Sequence, residues 1–233
     1  MKHMRVTKFG AITQITMAAK VFPVNAYLVE EADGVTLVDA GMPQMAKAIL
    51  AEIAKLGKPL TRVVLTHAHG DHIGAVGVVR EAFANIEILM SEREARIFRG
   101  DRHLLAGESQ RKLKGSFPKK APFAVTRVVQ EGDQVGSLKI VAVPGHTPGM
   151  IACFDVRAGA LIAGDAFQTF GRVAVSGQVV RRFPFPAWAT WCPETAMRSA
   201  EKLIALEPTL LLVGHGDALV QPVAKMREVV QRG

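Results

Sequence analysis

The chain has 233 residues, 49% of them hydrophobic and 21% charged, a composition that excludes a disordered or low-complexity chain. No apolar run approaches the roughly 20 residues needed to cross a bilayer, and two cysteines, Cys153 and Cys192, are too few for a disulfide framework or a thiolate metal site. The net charge of +8 favours anionic partners.

Read in chain order, the N-terminal stretch "MKHMRVTKFGAITQITMAAK" alternates polar and apolar residues and lacks a continuous apolar segment. It reads as strand rather than signal peptide, so a cytoplasmic location is expected. "NAYLVEEADGVTLVDAG" holds two apolar runs joined through Asp33-Gly34, a hairpin signal. A buried strand over Val35 to Val38 ends at Asp39. Helical spacing covers about Gln44 to Leu56, closed by Gly57 and Pro59. "TRVVLT" is a second buried strand, and "HIGAVGVVREAF" has helical spacing. "IEILMS" is a strand whose Ser91 caps a helix through about Phe98.

The span Arg93 to Arg127 carries ten Lys or Arg against three acids, most of the chain's positive excess. Within it, residues 100–123 are polar, basic and interrupted by Gly115 and Pro118. They are expected to form a surface insertion with some helix. The span is read as a solvated surface. Nucleic acid is not the expected partner, because interleaved aromatics and an RNA-binding motif are missing. "LKIVAVPG", "MIACFDV" and "ALIAGDA" follow as strands. A helix over Glu194 to Leu206 has Pro193 at its first position, "TLLLVGHG" is a strand, and Val223 to Val230 is a helix. Strands in both halves suggest two packed sheets with helices outside.

The motif "THAHGDH", Thr66 to His72, concentrates three of the seven histidines directly after an apolar strand. Residues two apart in extended backbone share a face, so His67 and His69 can reach one metal. Gly70 allows the turn that brings Asp71 and His72 alongside. Three histidines and an aspartate in so short a run are hard to bury without a metal or a hydrogen-bond network. His146 in "VPGHTPG", Asp165 in "AGDAF" and His215 in "LVGHG" each follow an apolar strand and adjoin glycine. Only His3 and His103 fall outside the pattern, and they are read as terminus and surface loop.

The set "HAHGDH", "PGHTPG", "GDAF" and "VGHG" resembles the metallo-β-lactamase superfamily from the Asp39 turn to His215. The resemblance implies one αββα sandwich over residues 1–233, an α/β fold with a dinuclear centre at one sheet edge. It also implies that His67, His69 and His146 hold the first ion, that Asp71, His72 and His215 hold the second, and that Asp165 bridges them. Imidazole and carboxylate donors suit two divalent ions, with zinc expected first and iron or manganese compatible. A shared hydroxide would be the nucleophile, and Asp71 would move a proton to the leaving group. Asp39, in "VDAG", would orient a ligand from behind it. Thr66 and Thr147 would do the same through their hydroxyls, or simply stabilise turns.

Fold does not fix the reaction. A flavodoxin domain and a glutamate at His69 would mark the family's flavin-linked reductases, and neither is present. The acyl-homoserine lactonases usually place a tyrosine where this chain has Gln168. About 18 residues follow His215, too few for the C-terminal helical domain of glyoxalase II, whose shorter relatives keep a thioester in view. The expectation is a hydrolase of a small-molecule ester, thioester or lactone. The alternatives are a mononuclear iron sulfur dioxygenase, a phosphodiesterase or ribonuclease using the basic span, and a non-catalytic binding protein. The last is disfavoured by the complete set of candidate ligands.

Residues 167–193 hold six of the 14 aromatic residues, including both tryptophans. Phe167, Gln168, Phe170, Phe185 and Trp188 are expected to line the substrate pocket as an apolar cap suited to an acyl group. Packing of a long loop, or a contact in a homo-oligomer, is the competing reading. Arg181 and Arg182 would add an anion contact to the cap. The partner implied is a small molecule, apolar in its acyl part or anionic, with no membrane involvement.

Overall fold

A computed structural model describes residues 4–83 and 85–232; His3 lies outside them. Four strands open the chain as an antiparallel meander: β1 (Met4–Phe9), β2 (Ile12–Met17), β3 (Val24–Glu30) and β4 (Val35–Val38). The turn between β3 and β4 contains Asp33-Gly34, as the hairpin signal predicts. A 3-10 turn (Pro43–Met45) and α1 (Ala46–Leu56) then carry the chain back to β5 (Leu60–Val64), which lies parallel to β4. The helical pattern after β5 is split into α2 (Gly70–Ile73) and α3 (Val76–Ala82). The break falls at Gly74, whose amide donates to the Gly41 carbonyl at 2.7 Å. β6 (Glu87–Ser91), α4 (Glu92–Phe98) and β7 (Arg127–Val129) complete a seven-stranded sheet in sequence order.

The second sheet has six strands: β8 (Gln134–Val135), β9 (Leu138–Ala142), β10 (Ile151–Asp155), β11 (Ala160–Ile162), β14 (Leu210–Leu212) and β15 (Leu219–Val220). A small ribbon of β12 (Phe167–Gln168) and β13 (Ala174–Val175) stands apart. The helices α5 (Phe185–Ala189), α6 (Pro193–Ile204) and α7 (Val223–Gln231) belong to this half.

Strand alternation builds the layers. Successive residues point to opposite faces, so Val63 and Val64, Leu28 and Val29, and Leu211 and Leu212 divide between different cores. Val29, Val38, Val64 and Leu89 of the first sheet meet Ile140, Ile151, Cys153 and Leu212 of the second. On the outer face of the first sheet, Leu28, Leu37 and Val63 pack against Ile49, Ile53, Val79 and Phe98 of α1, α3 and α4. On the outer face of the second, Val141, Leu161 and Leu211 pack against Ala200, Leu203, Met226 and Val229 of α6 and α7. The result is the expected four-layer αββα order. Strands buried on both faces need apolar residues throughout, which is why they read as unbroken runs rather than as alternation.

Residues 100–126 contain neither helix nor strand, which corrects the expectation of some helix there. Gly100, Gly107 and Gly115 all take positive φ, a conformation that a right-handed helix does not allow. No helix among the described residues is long and apolar enough to cross a membrane. Both cysteines are buried and unpaired.

Candidate metal centre

Strand direction gathers the site. β4 and β5 run parallel, as do β11 and β14, and β9 reaches the same sense through two antiparallel steps across β10. Their C-terminal ends therefore lie at one edge. The chain leaves them at Asp39, at the Thr66–His72 motif, at His146, at Asp165 and at His215. Backbone bonds from Ile151 N to Thr66 O and from Asn25 N to Gly214 O, both 3.0 Å, join the two sheets at this edge.

Three groups of side chains converge there: His67, His69 and His146; His67, His72 and Asp165; and Asp71, His72 and His215, each offering atoms within 4.8 Å of one another. Nδ1 of His69 lies 3.1 Å from Nε2 of both His67 and His146. A tetrahedral ion with bonds of about 2.0–2.1 Å holds its nitrogens roughly 3.3 Å apart, close to this spacing. Asp165 stands between the groups, with Oδ2 3.3 Å from His146 Nε2 and 3.2 Å from His215 Nε2, and Oδ1 3.3 Å from His72 Nε2. Asp71 Oδ2 lies 3.4 Å from His215 Nε2.

The far side of every imidazole is fixed. His69 Nε2 donates to the Lys114 carbonyl at 3.0 Å and His215 Nδ1 to the Pro23 carbonyl at 2.7 Å; a carbonyl only accepts, so these nitrogens carry the hydrogen. His72 Nδ1 donates to Asp39 Oδ2 at 2.8 Å. Thr66 Oγ1 gives its hydrogen to the same Asp39 oxygen at 2.8 Å, leaving a lone pair for His67 Nδ1 at 3.0 Å. Thr190 Oγ1 donates to the Pro186 carbonyl and Ser176 Oγ to the Asp165 carbonyl. Both hydroxyls can then accept from His146 Nδ1, at 3.2 and 3.3 Å. In the neutral tautomer that these contacts dictate, the nitrogen facing the centre keeps its lone pair in all five rings, the arrangement a metal-binding imidazole needs.

The electrostatics divide the rings. Burial, and next the neighbouring His72, hold His67 well below the ordinary imidazole range. Burial outweighs the pull of Asp165 and takes His146 down to about 3. For His72, burial is overcome by Asp165 and then Asp39, and its value rises. Burial also works against His215, but Asp165 raises it. Burial disfavours ionised Asp165, yet His215, His72 and His146 bring it well below the usual carboxylate range. The centre thus combines neutral His67 and His146 with His72 and His215, which the carboxylates draw toward the charged form; a divalent ion would supply that positive charge in place of the protons. Oδ1 of Asp165 and Nε2 of His72 are buried without a hydrogen-bond partner. Orphaned buried polar atoms cost free energy, and divalent ions would satisfy both. The donor set fits two such ions.

A cleft of about 600 Å³ opens over the centre. His69, Asp71, Asp165 and His215 form its floor, and Phe22, Met42, Pro43, Phe185 and Trp188 form an apolar wall. Phe22 packs edge-on to Phe183 at 4.8 Å and lies 5.2 Å from Phe185, while Phe183 reaches His215 at 5.3 Å.

The other expected pocket residues do not reach the cleft. Phe167 is buried in the core beneath the second sheet, because strand alternation in β12 turns it inward. Gln168 is buried, with Nε2 on the Phe183 carbonyl at 3.4 Å. Phe170 packs on Phe183 and is covered by the Arg182 guanidinium at 5.0 Å. Neither Arg181 nor Arg182 lines the cleft.

The segment expected to be a solvated insertion forms part of the cleft wall through Gly115 and Ser116. The Ser116 carbonyl accepts from Gly70 N at 2.8 Å. Gly115 has φ +97, and a methyl group on it would overlap the His69 imidazole. Gly214 is equally constrained, since a methyl there would overlap Asp165 and His72. His103 is exposed and pairs with Asp101.

Sequence reasoning missed Glu94. Its carboxylate is fully buried and accepts from Ala68 N at 2.9 Å, Thr147 Oγ1 at 2.8 Å and Gly149 N at 3.2 Å. It ties the loop carrying His67 and His69 to the loop carrying His146. Thr147 therefore acts on the loop through Glu94. Burial raises Glu94 to about 7 against the pull of its three donors.

The family model described as the metallo-beta-lactamase superfamily matches residues 19–215. Uncharacterized protein YobT of Bacillus subtilis (strain 168) is 44% identical over 229 residues, 98% of each chain. Probable metallo-hydrolase YflN of the same organism is 32% identical over 213 residues, covering 82% of this chain and 80% of the relative. The crystal structure of TTHA1623 in a di-iron-bound form aligns with a TM-score of 0.63 at 27% identity, covering 87% of this chain and 92% of that one.

Proposed function

Because the chain belongs to the metallo-β-lactamase superfamily, we propose that it is a dinuclear metallohydrolase that opens the carbonyl of a small-molecule ester, thioester or lactone. His67, His69 and His146 would hold one ion, Asp71, His72 and His215 the other, and Asp165 would contact both. The observation that carries this reading is the set of five imidazoles, each fixed from behind by an oxygen so that its other nitrogen faces the centre. Zinc suits these donors best, with iron and manganese compatible; the di-iron form of the related structure supports iron as a genuine alternative. When bound, divalent ions polarise a carbonyl and make water nucleophilic near neutral pH.

The chain's own residues do the rest. Burial favours neutral Asp71, but His72 and His215 keep it below the usual range. It is therefore ionised at neutral pH, partly open to the cleft, and placed to take a proton and hand it to the departing oxygen or sulfur. Asp39 and Thr66 orient His72 and His67. Phe22, Phe185 and Trp188 take the apolar part of the acyl group and exclude water from the floor.

The test is elemental analysis of the purified protein beside His67→Ala, followed by an ester, thioester and lactone screen. About two divalent ions per chain, depleted in the variant, with metal-dependent hydrolysis, is the expected result. No metal after reconstitution overturns the proposal. One iron per chain with oxygen consumption replaces it with the sulfur dioxygenase reading.

A further inference from the structure

The basic span divides into two populations. Arg93, Arg96, Arg99, Arg111 and Arg127 are paired with Glu108, Asp101, Glu92, Glu194 and Glu87. Those five arginines are accounted for by ion pairs within the span and with Glu87, Glu92 and Glu194 beside it. Arg102, Lys112, Lys114, Lys119 and Lys120 have no carboxylate partner among the described residues.

Two of the unpaired cations share a pocket. A second hollow of about 550 Å³ is lined by Arg102, His103, Gln110, Lys112 and Phe117, with no acidic residue. Gly115 is common to this pocket and to the cleft over the metal centre. Phe117 connects them too, with its ring 4.5 Å from that of His69 and the Arg102 guanidinium 5.5 Å from its centroid.

The loop is held in place by its backbone. The Lys114 carbonyl accepts from His69 and the Ser116 carbonyl from Gly70, while the Arg111 carbonyl accepts from Trp191 Nε1 at 2.8 Å. Lys112 lies between these anchors, and two residues of chain span at most about 7 Å. A cationic pocket is thus fixed within reach of a substrate whose carbonyl lies at the metals. The cleft itself has no lysine or arginine in its lining.

We propose that this second pocket is an anion subsite, in which Arg102 and Lys112 receive a phosphate or carboxylate carried by the same molecule whose carbonyl lies over the metal centre. This rests on the hydrolase reading and narrows its substrate class. The substrate has an apolar acyl part against Phe22, Phe185 and Trp188, and an anionic group on its alcohol or thiol part.

The probes are butyrate esters of phenol, 4-hydroxybenzoate and 4-hydroxyphenyl phosphate, assayed with the metal-loaded enzyme and with Arg102→Ala/Lys112→Ala. The neutral ester should be hydrolysed alike by both proteins. For the anionic esters the double variant should raise KM about tenfold with kcat unchanged, as the loss of two exposed charge contacts implies, and added salt should raise the wild-type KM in the same direction. A larger effect for one of the two anions identifies phosphate or carboxylate as the preferred group. Equal KM changes for neutral and anionic esters, or none for any, overturn the subsite and leave the hydrolase standing. If no ester is turned over, calorimetry with phenyl phosphate decides independently. Binding weakened by the double variant supports the subsite, and binding unaffected by it, or absent, rejects it.

Discussion

Replacing Glu94 by glutamine should make the protein more stable at alkaline pH while making it a poorer enzyme. Burial raises Glu94 from 4.5 to about 7, so folding takes up a proton between those values. Stability from this group is fully present below pH 4.5 and is lost as pH rises through about 7. At ~1.4 kcal/mol per pH unit, the loss is about 3 kcal/mol. Glutamine has the shape and neutrality of the protonated acid and does not titrate. Chemical unfolding of wild type and Glu94→Gln, in chelator so that metal binding does not intrude, should give nearly equal stabilities at about pH 5 and an advantage of about 3 kcal/mol to the variant at about pH 8.5. Other titrating groups cancel in the difference. The activity effect has the opposite sign. Ala68 N, Thr147 Oγ1 and Gly149 N all donate to the carboxylate, and the amide turns an N–H toward at least one of them. The loops bearing His67, His69 and His146 then lose a shared anchor, and kcat should fall on the order of tenfold. A stability difference that does not vary with pH would refute the reasoning. It would mean that the three donors fully offset burial and that Glu94 is an ordinary ionised carboxylate.

Gly115→Ala places a methyl against His69 and a side chain at φ +97. It should cost ~1–3 kcal/mol in unfolding free energy, and kcat should drop together with metal content; wild-type kcat would show that the loop does not position His69. Asp39→Asn leaves one oxygen where three donors now bind, His72 Nδ1 and Thr66 Oγ1 on Oδ2 and Thr66 N on Oδ1, and turns an N–H toward at least one of them. Metal affinity should fall about 10- to 100-fold, read by competition with a chromophoric chelator. Trp188 is 62% exposed at the cleft wall, so Trp188→Ala should raise KM for apolar acyl substrates with kcat retained and with unfolding free energy changed by less than about 0.5 kcal/mol. A lower Tm with unchanged KM would instead assign it to packing.

The candidate ligands were legible because each follows an apolar strand, and strand ends are where a sheet presents reactive side chains. His67, His69, Asp71 and His72 needed only local geometry to be grouped. What escaped notice acts across the fold or through the backbone. Glu94 sits three residues after the capping Ser91, whose Oγ accepts from Glu94 N at 3.1 Å, and would pass for a capping-box acid. Its side chain instead turns toward Ala68 and Thr147, which only the docking of the two loops reveals. Phe22 is far along the chain from Phe185 and Trp188, so no local pattern joins them. The loop around Gly115 looked like solvated surface because its side chains are basic, yet its carbonyls make the contacts, and carbonyls leave no mark in a sequence. Phe167 and Gln168 misled through proximity: two or three residues from Asp165, one is buried in the core and the other is held on the Phe183 carbonyl.

The centre is split between the two sheets. The first sheet supplies His67, His69, Asp71 and His72, and the second supplies His146, Asp165 and His215. Either half alone presents too few donors for the two ions proposed. The inter-sheet core of Val29, Val64, Ile151 and Leu212 and the bond from Tyr27 Oη to the Val213 carbonyl at 2.6 Å therefore bear on ion binding, although none of them touches the centre. The coupling runs in both directions. Ions that bind only the docked sheets stabilise that docking, by about 4 kcal/mol when present at a thousandfold excess over Kd. Metal binding and closure of the sandwich at its functional edge are two aspects of one equilibrium.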